Sequence, residues 1–216
     1  MLPSWFLTLI NRENGLDYKR QALKLRHMNG FIAIARDRDT GRIWVDPLTG
    51  KPRIEYSPSA FDRAHCLEGA VALAKICYVT GATEIHAAIA GLKPFIRNAE
   101  DAEASRAEDE ADPGVTDPRF RAWLEELRRI GNKPPTGTFA CAHQMGSNRM
   151  SVREKDGVVN PKGRVWGTEG LYVSDASIFP SASGVNPMIT NMAISDWISR
   201  GISRELKGAG KVESRL

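Results

Sequence analysis

His143 is the residue whose neighbours best suit it to move a proton. It stands in Ala142-His143-Gln144-Met145-Gly146-Ser147, and a glycine turn beside a histidine lets a ligand come close to the backbone. An imidazole, with an unperturbed pKa of about 6.5, can accept a proton from an alcohol. The plainer reading is a structural histidine held by hydrogen bonds. Further on, Asn186-Pro187-Met188 opens a helical pattern. An Asn followed by Pro at the first helical position is a good N-cap, which would spend the side chain on the backbone. A helix start also presents unpaired N–H groups and about half a positive charge, which would stabilise a cofactor that becomes anionic. Both readings of Asn186 stand at the level of residue types. Asp175, closing Leu171-Tyr172-Val173-Ser174-Asp175, has two as well: a turn-former or N-cap, or a polar anchor for a cofactor.

Positioning these groups requires a particular set of elements. Thr138–Ala142 reads as a strand leading to His143, residues 158–170 as short strands and turns, and Leu171–Asp175 as a buried strand. Residues 187–206 read as the last helix, with Met188, Met192, Trp197 and Ile202 as inward candidates. Upstream, Phe31–Asp37, Arg42–Asp46 and Arg53–Ser57 are β-rich runs separated by turn residues, which predicts an antiparallel meander. From Ser59 to Thr80 the period becomes helical, with Phe61, Ala64, Leu67, Val71, Ala74 and Tyr78 on one face and Gly81 closing the helix. Asp117-Pro118 caps another helix, whose apolar face is Phe120, Trp123, Leu124 and Leu127. Residues 11–30 show scattered apolar positions and carry no assigned element. Residues 99–115 are strongly acidic with Arg106 the one basic residue, the composition of a solvated loop or of a lid. The class is α+β.

Composition excludes several functions. A length of 216 residues with 42% apolar content can bury a sizeable core. The net charge of +4 is mild and its basic residues are dispersed, so no nucleic-acid partner is expected. Cys66, Cys77 and Cys141 are odd in number and lack metal-site spacing; neither disulfides nor a zinc site is expected, and free thiols fit a reducing compartment. No apolar run approaches the roughly 20 residues that span a bilayer. The apolar start, Met1–Ile10, suits a core segment or a membrane-surface anchor and makes a poor signal peptide. Ser214-Arg215-Leu216 is a variant of the peroxisomal import tripeptide, preceded by a Gly-rich polar stretch that reads as a flexible tail over 207–216.

Ala142-His143-Gln-Met-Gly-Ser-Asn-Arg-Met150, Gly163-Arg-Val-Trp-Gly167, Gly170-Leu-Tyr-Val-Ser-Asp-Ala-Ser-Ile-Phe-Pro180 and Gly184-Val-Asn-Pro-Met-Ile-Thr190 occur in this order. Together they resemble the C-terminal region of the glucose–methanol–choline (GMC) oxidoreductases, in particular the branch of the long-chain fatty alcohol oxidases. Arg36–Gly41, Ile54–Tyr56 and Gly81–Ile85 resemble that branch's substrate-domain strands. The resemblance implies oxidation of a long-chain alcohol with FAD, hydride passing to flavin N5 and O2 being reduced to hydrogen peroxide. It matches His143 to the histidine that takes the hydroxyl proton and Asn186 to the position that hydrogen-bonds the substrate oxygen. Asp175 and Ala176 match the segment along the flavin's ribityl and diphosphate side, and Pro187, Met188 and Thr190 match the turn and helix start at its pyrimidine end. The domains implied are a substrate-binding cap over 1–140, including the acidic loop, and the C-terminal part of the FAD-binding region over 141–206. A peroxide-forming oxidase fits the peroxisomal tripeptide and its import receptor.

Two departures accompany the resemblance. Asn148 stands where that branch usually has Cys. The dinucleotide-binding glycine motif and its Rossmann strands belong to the family's N-terminal half, and no GxGxxG occurs in these 216 residues. Competing readings are a dehydrogenase of the same superfamily with another electron acceptor, and a non-catalytic chain that keeps the substrate domain as a binding module.

Overall fold

Two separate apolar clusters organise the chain, and each belongs to its own unit. The computed structural model describes residues 4–98 and 117–213, with side chains over 7–98 and 117–208. The acidic segment 99–115 and the tripeptide Ser214-Arg215-Leu216 lie outside the described residues. One unit comprises Met1–Ala35 and Ser59–Ala140, the other Arg36–Pro58 and Cys141–Leu216. Residues 36–58 therefore group with the C-terminal segment and not with the rest of 1–140.

In the first unit, α1 (Gly15–Lys24) occupies part of the stretch whose apolar spacing showed no period. Its signal was polar: Asn14 Oδ1 accepts from the N–H groups of Leu16 and Asp17, both at 3.0 Å. Helix α2 (Ala60–Val79) starts at Ser59, whose hydroxyl accepts from Asp62 N–H. Helix α3 (Pro118–Ile130) starts at Asp117, which accepts from Arg119 and Phe120, and ends at Gly131 with φ 70°. The short strands β3 (Glu84–Ile85) and β4 (Phe95–Ile96) pair antiparallel. Val71, Ala74 and Tyr78 of α2 meet Phe120, Leu124 and Leu127 of α3 in one buried cluster with Ile85 and Phe95. The Tyr78 and Phe120 rings stack at 4.2 Å, and Tyr78 Oη donates to Asp117 Oδ2 at 2.9 Å. The end of α2 is thus tied to the cap of α3. The expected inward face of α2 holds over this half only. Phe61 and Ala64 are exposed, because the cluster reaches α2 from Leu67 onward, and Asp62 is buried with its carboxylate taking the Ser59 hydroxyl.

The second unit holds a hairpin, β1 (Arg42–Val45) with β2 (Pro52–Glu55), in register from Arg42↔Glu55 to Val45↔Pro52. The expected three-stranded meander is thus two strands. Phe31–Asp37 finds no ladder partner among the described residues, and an extended run becomes a strand only by pairing. Asp46 closes the hairpin by accepting from Leu48 and Thr49 N–H and from Arg53 Nε at 2.7 Å. The Arg53 guanidinium, with those N–H groups, holds the Asp46 carboxyl below its ordinary range.

Val159, Ile178 and Ile198 form the second buried cluster, joined by Met150, Val165, Tyr172, Val173, Ile194 and Ile202. Helix α4 (Met188–Glu213) faces it with Ile194, Ile198 and Ile202, at i, i+4 and i+8. Met188, Met192 and Trp197 are exposed; of the expected inward positions only Ile202 faces the cluster. Met192 lies about 120° round the helix from Ile198, so one stripe cannot hold both. The backbone of 207–213 continues the helix, in place of a flexible tail from 207, despite the cost of Gly208 and Gly210. Thr138–Ala142 and Leu171–Asp175 are not strands. The latter makes one isolated pairing, Arg164↔Tyr172, and only Tyr172 and Val173 are half-buried. Gly167 and Gly170, both at φ near 70°, turn the chain on one side of that pairing, and this keeps the ladder short.

Three outcomes check this packing. Leu127→Ala should destabilise the chain by about 2–5 kcal/mol, read as a lower urea midpoint. Gly163 has φ 77°, and a Cβ there would lie 2.5 Å from Ile198 Cδ1. Gly163→Ala should therefore cost about 1–3 kcal/mol and loosen α4, visible as faster amide exchange around Ile198. The lowered Asp46 pKa stabilises the hairpin above the ordinary aspartate range, and that stability is lost as pH falls through the lowered value. Arg53→Ala should move the loss of hairpin amide protection to higher pH.

Candidate functional site

The predicted site residues all fall in the second unit, and one segment registers them. Ile178 is fully buried and Phe179 nearly so, which fixes the tight turn Ala176–Ile178. Asp175 caps that turn, its Oδ1 accepting from Ser177 N–H at 2.8 Å. Of its two readings the N-cap geometry is realised: the residue is exposed, with Oδ1 on the backbone. The expectation that it ends a buried strand is corrected, because this capping bond replaces a ladder partner.

The loop carrying His143 lies along the same turn. Gly146 N–H donates to Ala176 O, Asn148 N–H to Ser177 O and Met150 N–H to Ile178 O, at 2.8–3.2 Å. Gly146 has φ 82°, and a Cβ there would come within 3.2 Å of Phe179 O, so the close approach requires glycine. Before that ladder the loop is folded on itself: His143 N–H points to Cys141 Sγ at 3.4 Å, and Gln144 Nε2 donates to Cys141 O. His143 is half-buried, and among the described residues its ring makes no hydrogen bond.

The Asn186 loop follows the central turn and has contacts of its own. Ser183 Oγ donates to Val185 O, and Arg36 Nη2 donates to Ser181 Oγ at 3.1 Å. Helix α4 begins at Met188, and Pro187 O accepts the first helical bond, from Asn191 N–H at 2.8 Å. Pro187 is therefore the capping position and Asn186 lies one residue outside the helix. The Asn186 side chain is exposed and makes no hydrogen bond among the described residues. Its carboxamide is free for a ligand, and the capping reading of Asn186 does not hold.

Met188 and Thr190 are exposed on the first turn of α4, beside Val185, Ile189 and Met192. Asn191 Oδ1 is buried there and has no partner. Helix α4 is tied to the central segment through Ile198 on Ile178 and through Ser195 Oγ, which donates to Ser174 O at 2.8 Å. Ala176 is half-buried in that segment. The Ser174–Ile178 segment thus meets the His143 loop through backbone carbonyls and α4 through the Ile178 side chain and the Ser174 carbonyl. No hydrogen bond joins His143 to Asn186 among the described residues.

The fit to FAD is partial. An exposed apolar rim, a free amide and an unpaired buried oxygen at a helix start suit a flat ring system with polar edges. Glycine-rich geometry for a diphosphate does not occur between a strand and a helix among the described residues. Residues missed at the sequence level are Ser177, Arg36 and Asn191. Ser177 and Arg36 act through contacts distant in sequence, and Asn191 is marked only by burial of one atom.

The family model for GMC oxidoreductase, of the C-terminal domain, matches residues 29–195. The long-chain-alcohol oxidase FAO4A of Arabidopsis thaliana is 31% identical over 208 residues, covering 95% of this chain and 26% of that protein. Long-chain-alcohol oxidase FAO3 of the same plant is 30% identical over 208 residues, 94% of this chain and 25% of its own length. An uncharacterized GMC-type oxidoreductase of Mycobacterium tuberculosis (strain ATCC 25618 / H37Rv) is 26% identical over 164 residues, 76% of this chain and 22% of its length. The chain spans about a quarter of the length of these relatives. With more than half of its residues matched by the family model, the chain belongs to the GMC oxidoreductase family.

Proposed function

We propose that this chain is the C-terminal part of an FAD-dependent long-chain alcohol oxidase that converts a primary fatty alcohol to its aldehyde and reduces O2 to hydrogen peroxide. The observation that carries this reading is that His143 and Asn186 both present side chains without a hydrogen bond among the described residues, one on the loop bonded to the Ala176–Ile178 turn and the other just before the helix that packs on Ile178. Similarity over most of the chain to proteins named long-chain-alcohol oxidases supports the substrate class.

The flavin, when bound, supplies the hydride acceptor. His143 takes the hydroxyl proton at a ring nitrogen as the carbinol hydride departs, so two electrons and both hydrogens leave the alcohol. Asn186 hydrogen-bonds the substrate oxygen through its carboxamide. Pro187, Met188 and Thr190 would help to hold the flavin at the start of α4, where the helix end would favour negative charge. Asp175 and Ala176 would also be among the residues that hold the flavin. A peroxide-forming reaction belongs beside catalase, and recognition of Ser214-Arg215-Leu216 by the peroxisomal import receptor would place it there. No helix among the described residues is long and apolar enough to cross a membrane.

In the flavin-loaded enzyme, His143→Ala should lower turnover of a long-chain alcohol by about 10²-fold or more. Turnover close to wild type would remove the histidine from the proton transfer. One peroxide released per aldehyde formed identifies an oxidase. Aldehyde without peroxide, in the presence of an artificial acceptor, identifies a dehydrogenase. A purified 216-residue chain that folds, stays monomeric and carries no flavin favours the non-catalytic binding module.

A further inference from the structure

Among the described residues, Asn148 makes the one side-chain hydrogen bond in the junction between the His143 loop and the Ala176–Ile178 turn. Its Nδ2 donates to Ser177 Oγ at 3.1 Å, in a half-buried setting. The flanking bonds, Gly146 to Ala176, Asn148 to Ser177 and Met150 to Ile178, are all backbone to backbone. The first is restricted to glycine by its φ of 82° and the nearness of Phe179 O, while the other two can be made by almost any residue and do not specify which side chain faces Ser177. A side-chain pair does specify it, because moving either partner by one position leaves a half-buried amide or hydroxyl without its bond, which is costly.

Ser177 is itself fixed, since its N–H is held by Asp175 Oδ1. A continuous path therefore runs from the His143 loop through Asn148 and Ser177 to the Asp175 carboxylate.

We propose that Asn148 is a positioning residue: by donating to Ser177 Oγ it sets the register of the His143 loop on the central turn and so the direction of the imidazole. The catalytic meaning of that direction rests on the role given to His143 above. The geometric claim does not, and the two are tested apart.

The test uses the isotopically labelled 216-residue chain with Asn148→Ala, Ser177→Ala, the double variant and Ser177→Thr. Amide exchange at Gly146 and Met150 should accelerate about 5–10-fold in each single variant, in line with loss of one hydrogen bond. The double variant should be no faster than either single one, because both remove the same bond. The His143 ring resonances should shift in all three alanine variants and stay at wild-type positions in Ser177→Thr, which keeps the hydroxyl. Additive acceleration in the double variant, or His143 resonances unmoved by Asn148→Ala, would overturn the proposal. In the flavin-loaded enzyme, Asn148→Ala should lower kcat and leave KM unchanged. A wild-type enzyme that does not turn over alcohols would sink the proposed reaction while the resonance comparison still decides the positioning role.

Discussion

Burial of Ile178 against Val159 and Ile198 is the contact on which the second unit depends. It fixes a turn of only three residues, and a turn so short has little cohesion of its own. Once that turn is fixed, its carbonyls become a template for the His143 loop, and its neighbour Ser174 receives a bond from α4. The polar geometry of the candidate site is thus set by an apolar contact. Ile198 also explains Gly163, since a larger residue there would meet its methyl group.

Aspartates perform a second, repeated task. Asp46, Asp117 and Asp175 each accept backbone N–H groups two and three residues ahead, or two ahead in the last case, and each begins a turn or helix that long-range contacts then use. Their local bonds need no partner from elsewhere in the chain, so they can form early and hold the chain's direction while the clusters assemble. Asp117 extends this to tertiary structure by receiving Tyr78 Oη as well.

What the sequence made legible follows the range of the interactions. Helices α2 and α3 were readable because their apolar period is local, and the start of α3 also because Asp117 caps it within three residues; the Ser59 cap of α2 was not singled out. The Phe31–Asp37 run and the two expected strands around His143 and Asp175 were misread for one reason. Their β-rich composition is real, but strand formation depends on a partner that a linear pattern does not name. The inward face of α4 failed similarly: Met188, Met192 and Trp197 are apolar, but the cluster made by Val159 and Ile178 selects Ile194, Ile198 and Ile202. At the site, residue types pointed to His143 and Asn186. The release of Asn186 from capping depended on where the first helical bond falls, one residue later than the Asn-Pro pair suggests.

Helix α4 is about 39 Å long by its rise, and its grip on the cluster begins at Ile194, about 9 Å beyond its first residue. Its leading turn is therefore an overhang. A tilt of roughly 5° at the grip would swing the tip by under about 1 Å, a distance that matters for a hydrogen bond but hardly for packing. Mechanically, then, coarse placement of the Asn186–Thr190 end comes from the isoleucine stripe. Fine adjustment falls to whatever body presses on Met188, Ile189 and Met192, which makes that apolar tip the place where fit to a ligand can be tuned without disturbing the fold.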